Sequence, residues 1–109
     1  MKITEKASDG FCILYPEGRV DSTQVPEFEK MVLGCVERGD TFLIINGRGL
    51  SYISSLGLRV FLTAQKKIIA ARGKLYLCEL TRPVLETIGI SGFSTIFKIF
   101  ETEEEALEA

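Results

Sequence analysis

Two periods of apolar residues run along the chain. Phe11-Cys12-Ile13-Leu14-Tyr15, Phe42-Leu43-Ile44-Ile45 and Lys74-Leu75-Tyr76-Leu77-Cys78-Glu79-Leu80 are short apolar runs bounded by turn residues, and they predict buried strands. Ile96-Phe97-Lys98-Ile99-Phe100 alternates, with Ile96, Lys98 and Phe100 on one face and Phe97 and Ile99 on the other, and predicts a last strand near an edge. Lys2–Lys6 alternates weakly and predicts an edge strand. Ser8-Asp9-Gly10 would turn it into a hairpin with Phe11–Tyr15, and Pro16-Glu17-Gly18 would end that hairpin. Between these runs the period changes to that of a helix. Val25, Phe28, Val32, Cys35 and Val36 form one stripe, and Leu58, Phe61, Leu62, Gln65 and Ile69 form a second. Val84, Leu85 and Ile88 mark a shorter third.

The helix boundaries carry their own signals. Ser22 or Thr23 can cap the first helix, Pro26 falls in its first turn and Gly39 ends it. The second is predicted from about Ser55 to Ala71, with Arg72-Gly73 as its stop. Thr81 would cap the third, with Pro83 in its first turn and Gly89-Ile90-Ser91-Gly92 as its breaker. Thr102-Glu103-Glu104-Glu105 is a capping box that opens a fourth, C-terminal helix. The predicted order is ββαβαβαβα: an α/β domain with four helices and a mixed, mostly parallel sheet of about five strands. The crossovers are right-handed and the first strand is antiparallel at an edge. No linker or repeat divides residues 1–109, so a single domain is expected. In such a sheet the functional edge lies at the carboxyl ends of the parallel strands, where Asn46 and Ser54-Ser55 are placed.

Charge and composition narrow the function classes. A formal net charge of −2 argues against nucleic acid or an anionic membrane surface as partner. The chain contains no histidine, which removes the usual Ser-His-Asp and Cys-His nucleophile systems and the commonest transition-metal ligand. Cys12, Cys35 and Cys78 are scattered and form no CxxC pair. They predict buried free thiols in a cytoplasmic protein, and no metal site. Neither GxSxG, a Walker A loop nor GxGxxG is present, and Gly47-Arg48-Gly49 is too short to cradle a phosphate. No enzyme activity and no cofactor are expected.

The chemistry that remains centres on two adjacent serines where a strand run passes into a helix. A serine there is a favoured N-cap. The same place also suits a phosphate, because free N–H groups and the positive end of the helix dipole face it. Leu50-Ser51-Tyr52-Ile53-Ser54-Ser55-Leu56-Gly57-Leu58-Arg59-Val60 resembles the signature of the STAS domain family of anti-sigma factor antagonists. That signature runs from a strand through an apolar residue, Asp or Ser, a phosphorylatable Ser and a small residue to Gly-Leu. Aligned on Gly57-Leu58, the family phosphoserine falls on Ser55 and the frequent Asp on Ser54, while Leu56 replaces the small residue. Gly18-Arg19-Val20-Asp21 is similar to a second family stretch, Gly-x-Leu-Asp before the first helix.

The resemblance implies a protein–protein switch. Unmodified, the chain would bind an anti-sigma factor that is an ATP-dependent serine kinase; phosphorylation of Ser55, rather than Ser54 or Ser51, would undo the complex. Asp21, Ser54, Ser55, Leu56, Gly57 and Arg59 would form the contact surface. ATP and Mg²⁺ would come from the partner, and the chain itself would be a monomer or a weak dimer. Leu56 lies about 200° round the helix from Leu58 and is expected to be partly exposed. Gly57 is expected to keep a side chain away from the acceptor or the partner. A second reading keeps the fold without the switch: a stand-alone subunit that docks on an ABC transporter ATPase or another scaffold. A third, small-molecule or nucleotide binding, rests only on Asn46 and the Gly47–Gly49 loop.

Overall fold

A computed structural model describes the whole chain, Met1–Ala109. Strands β1 (Lys2–Ser8) and β2 (Phe11–Val20) form the expected antiparallel hairpin, which turns at Asp9 and Gly10, both at positive φ. β2 is longer than its apolar run predicts. It continues through Pro16, which pairs with Ile3 of β1, as far as Val20. Strand β3 (Phe42–Asn46) runs beside β2 only at Cys12–Leu14. A strand absent from the pattern reading, β4 (Leu50–Ile53), pairs with β2 at Gly18–Val20. Pro16 falls in the gap between those two ladders, where a missing N–H removes no parallel-strand bond.

Helix α1 (Val25–Glu37) follows β2, and α2 (Ser55–Ala70) follows β4. Strand β5 (Lys74–Cys78), helix α3 (Arg82–Ile90), strand β6 (Lys98–Phe100) and helix α4 (Glu103–Glu108) complete the chain. The strand order is β1-β2-β3-β5-β6, with β4 attached to β2; every pair is parallel except β1–β2. The α/β class, the four helices and the mostly parallel sheet are as predicted, with β4 as a sixth strand.

Alternation along the strands separates two faces. Cys12, Leu14, Leu43, Ile45, Leu75 and Leu77 point to the layer of α1, α2 and α3. Ile13, Ile44, Tyr76 and Cys78 point to the opposite side, where α4 supplies Ala106 and Leu107. Phe28 of α1 meets Phe61 of α2 with ring centroids 5.5 Å apart at the centre of the three-helix layer.

The α2 stripe departs from the predicted one. Ile69 is 63% exposed, and the buried face comprises Gly57, Leu58, Val60, Phe61, Ala64 and Ile68. Gly57 and Ala64 add little to a hydrophobic pattern, but their small size lets the helix approach the sheet. Leu85 of α3 is also turned outward. The α2 stop differs as well. Arg72, not Gly73, takes the left-handed conformation (φ 61°). Gly73 is needed one position later, because a Cβ there would lie 1.8 Å from the carbonyl oxygen of Thr41.

Candidate partner-docking surface

The pairing of β2 with β4 assembles the site. Arg19 lies opposite Tyr52 and Val20 opposite Ile53, so the residues that follow, Asp21 and Ser54, leave the sheet side by side. The Ser54 N–H donates to the Val20 carbonyl at 2.8 Å. Two stretches more than thirty residues apart in sequence thereby share one surface at the carboxyl ends of parallel strands.

The two serines have different environments. Ser54 is the N-cap of α2, in extended conformation, and its Oγ accepts the Gly57 N–H at 3.2 Å. Ser55 is the first helical residue, and its side chain is exposed. The N–H groups of Ser55 and Leu56 lie in the first turn, where the helix offers no acceptor of its own. An anion carried on Ser55 would therefore meet unpaired donors and the positive end of the dipole. Leu56 is 46% exposed, and Arg59, one turn on, is exposed.

Gly57 lies beneath this surface. A Cβ at Gly57 would come 2.7 Å from Cγ1 of Ile53 and 2.9 Å from Cγ1 of Val20. What excludes a side chain is the strand pair below, not the acceptor or a partner as the sequence suggested.

Asp21 also differs from expectation. Neither Ser22 nor Thr23 caps α1, whose N-cap is Gln24 without a side-chain bond. Instead Asp21 Oδ1 accepts from the N–H and the hydroxyl of Thr23, at 3.0 and 2.7 Å. Those two bonds, with a smaller contribution from the Arg19 charge, hold the carboxyl below its ordinary value. Arg19 itself stacks on the Tyr52 ring, 4.5 Å from its centroid. This pair borders the site and was not legible in the sequence, because only the cross-strand register brings the two residues together.

Other predicted polar positions serve the fold. Thr81 holds the N-cap position of α3, but its hydroxyl donates to the Leu50 carbonyl at 2.7 Å and ties α3 to β4. Asn46 is fully buried: Nδ2 donates to Glu103 at 3.0 Å and Oδ1 accepts the Arg48 N–H at 3.1 Å. With both ends of its amide engaged, Asn46 gives the small-molecule reading no support.

The fold and site together define a small α/β module with a serine exposed at a helix start beside a conformationally fixed acid. Family comparison agrees: residues 2–106 match the STAS domain, and the chain belongs to that family. It is 37% identical over 109 residues to a candidate anti-sigma factor antagonist of Bordetella bronchiseptica, BtrV, covering all of this chain and 94% of that one. Among solved structures, a candidate anti-sigma factor antagonist of Thermotoga maritima superposes with a TM-score of 0.90 at 23% identity, over 97% of this chain and 92% of that one. The anti-sigma factor antagonist SpoIIAA of Bacillus is similar in two states. The unphosphorylated form has a TM-score of 0.81 at 21% identity, over 98% of this chain and 94% of that one. The phosphorylated form has a TM-score of 0.73 at 20% identity, over 98% and 97%.

Proposed function

We propose that this protein is an anti-sigma factor antagonist that docks through Asp21, Ser54, Ser55, Leu56 and Arg59 on an ATP-binding anti-sigma factor serine kinase, and that phosphorylation of Ser55 releases it. The observation that carries the reading is the division of labour between the serines. Ser54 is occupied as the cap, whereas Ser55 is exposed beside a half-exposed leucine in the first turn of α2. The full-length relationship to BtrV supports the antagonist role.

The physical basis of the switch is local. A phosphate on Ser55 adds about −1.5 to −2 charges in the middle of the contact surface, close to the ionised Asp21. Docking of Leu56 into an apolar partner site would then require that charge to be desolvated. Gly57 takes part through its missing side chain, which lets the first turn of α2 sit close against Val20 and Ile53.

Incubation with the cognate kinase and ATP, followed by phosphopeptide mapping, should place the phosphate on Ser55. Ser55→Ala should bind the kinase and resist modification, and Ser55→Asp should bind at least about ten-fold more weakly, a loss of about 1.4 kcal/mol. A phosphate on Ser54 with Ser55 untouched refutes the assignment. The exposed Leu56 favours one further reading, a scaffold subunit docked without a switch, for instance on an ABC transporter ATPase. Partner binding indifferent to Ser55→Asp would select it.

A further inference from the structure

Far from the serine surface, at the opposite end of α1, the fold undoes the scatter of two cysteines. Cys12 on β2 points to the helix layer, and Cys35 lies in the last turn of α1. The helix stop then brings in an acid. The Asp40 N–H donates to the Cys35 carbonyl at 2.9 Å and the Gly39 N–H to that of Val36 at 3.1 Å, with Gly39 at φ 103°. This double bond pattern turns the chain back on itself and holds Asp40 beside Cys35. Sγ of Cys12, Sγ of Cys35 and a carboxylate oxygen of Asp40 all lie within 4.8 Å of one another. Both thiols are free and buried, and Asp40 opens to solvent. Glu5 on β1 joins them, with Oε2 3.6 Å from Cys12 Sγ.

A cation already sits among these groups. The Arg38 guanidinium donates to Glu5 and to Asp40, and its Nη2 lies 3.7 Å from Cys12 Sγ. One positive group thus contacts three of the four candidate ligands, and its side chain is half exposed, so displacement into solvent leaves it hydrated. The geometry points to a thiolate-rich site for a zinc-class divalent cation, ligated by Cys12, Cys35, Asp40 and Glu5, in which Arg38 is the placeholder that the metal displaces. Two sulfurs and two carboxylate oxygens suit a borderline-soft ion with tetrahedral preference better than Mg²⁺ or Ca²⁺, which take oxygen ligands. With Zn–S near ~2.3 Å and Zn–O near ~2.0–2.2 Å, ligand atoms stand about 3.3–3.8 Å apart. For Cys12, Cys35 and Asp40, side-chain rotations that close the cluster by about 1 Å are enough, because strand pairing and the α1 stop already fix the backbone, and Glu5 reaches the site from β1 through its contact with Cys12. A bound ion would join the β1–β2 hairpin to the end of α1.

Reduced full-length protein titrated with Co²⁺ under anaerobic conditions tests the site, with Zn²⁺ as competitor. One equivalent of Co²⁺ should produce sulfur-to-cobalt charge transfer and the visible bands of a tetrahedral ion. Zn²⁺ should remove both and raise the melting temperature. Cys35→Ser and Asp40→Asn should each weaken binding at least about ten-fold, and Cys78→Ser, outside the cluster, should leave it unchanged. Arg38→Gln should bind several-fold more tightly, an effect that adventitious thiol binding would not produce. Absence of charge transfer at one equivalent overturns the proposal, as does an unchanged affinity in Asp40→Asn, which decides the matter if the cysteine variants do not fold. Weaker binding in Arg38→Gln, or a Cys12–Cys35 disulfide in air with no metal bound under reductant, overturns it equally.

Discussion

Leu56 and Gly57 are neighbours with opposite relations to the protein. Leu56 faces outward and is half exposed, so on the proposed function its contribution is to the partner interface rather than to the core. Full burial of such a side chain is worth roughly 1.5–3 kcal/mol. Leu56→Ser should therefore weaken the complex by up to about that amount and leave the melting temperature nearly unchanged. Titration calorimetry with thermal melts alongside checks it, and a large melting loss at constant affinity would place Leu56 in the core. Gly57→Ala should behave in the reverse way. Alanine gains up to about 1 kcal/mol in helix propensity, but the new Cβ would collide with Ile53 and Val20, two buried β-branched side chains with little room to move. Overpacking of this kind costs about 1–3 kcal/mol. Chemical denaturation should show a net loss of stability, with weaker partner binding only as far as the first turn of α2 shifts. A more stable Gly57→Ala would mean that the strand pair yields easily.

At the scale of elements, the decisive feature is the short strand β4. Its four residues do not alternate cleanly, because the register slips between Gly18 and Arg19. Leu50 and Ile53 are both buried at a spacing of three. A period-2 reading misses such a strand, and with it the adjacency of Asp21 and Ser54. The junction between α2 and β5 shows a comparable constraint. Gly73 packs against the Thr41 backbone, and the next residue, Lys74, donates to the Thr41 carbonyl at 2.8 Å to start the β3–β5 ladder. Gly73→Ala should cost at least about 3 kcal/mol, the upper end for overpacking, because the obstacle is main chain and cannot rotate away. A denaturation midpoint within error of the parent would show that the junction can open.

Across the whole molecule, one carboxylate links α4 to the sheet. Glu103 Oε1 accepts from the Tyr15 hydroxyl at 2.7 Å and from Asn46 at 3.0 Å, and Lys6 lies 3.8 Å from Oε2. Burial disfavours its charge, but the hydrogen bonds and the charges of Lys6 and Arg48 outweigh that cost and hold its carboxyl below the ordinary value. Burial and the bond to Glu103 push the Tyr15 hydroxyl up to about 12. Because Glu103 ionises more readily in the folded chain than in the unfolded one, the stability it adds is present above the ordinary carboxylate range. It is lost as pH falls through the lowered value. Glu103→Ala should destabilise by about 1–3 kcal/mol near neutrality, since it leaves the buried Asn46 amide and the Tyr15 hydroxyl without their acceptor. The gap between parent and variant should narrow in acid, as urea denaturation at neutral and acidic pH would show; a constant gap would mean the carboxylate charge contributes nothing.

The sequence by itself determined the four helices, five of the six strands in their order, the mostly parallel class of the sheet and the place of Ser54 and Ser55 at a helix start. These follow from local periodicity, turn residues and capping chemistry, which each segment carries within itself. It also bore the family signature around Gly57-Leu58, and the Thr102–Glu105 capping box forms as written. Only the tertiary structure decided which serine is occupied and which is exposed, that Asp21 stands beside Ser54, that Gly57 is excluded from below, and that Cys12 and Cys35 meet. Each of these depends on contact between residues distant in the chain. A β-ladder register or a helix rotated toward its small residues is set by the packing of partners against one another, and no segment carries that information alone.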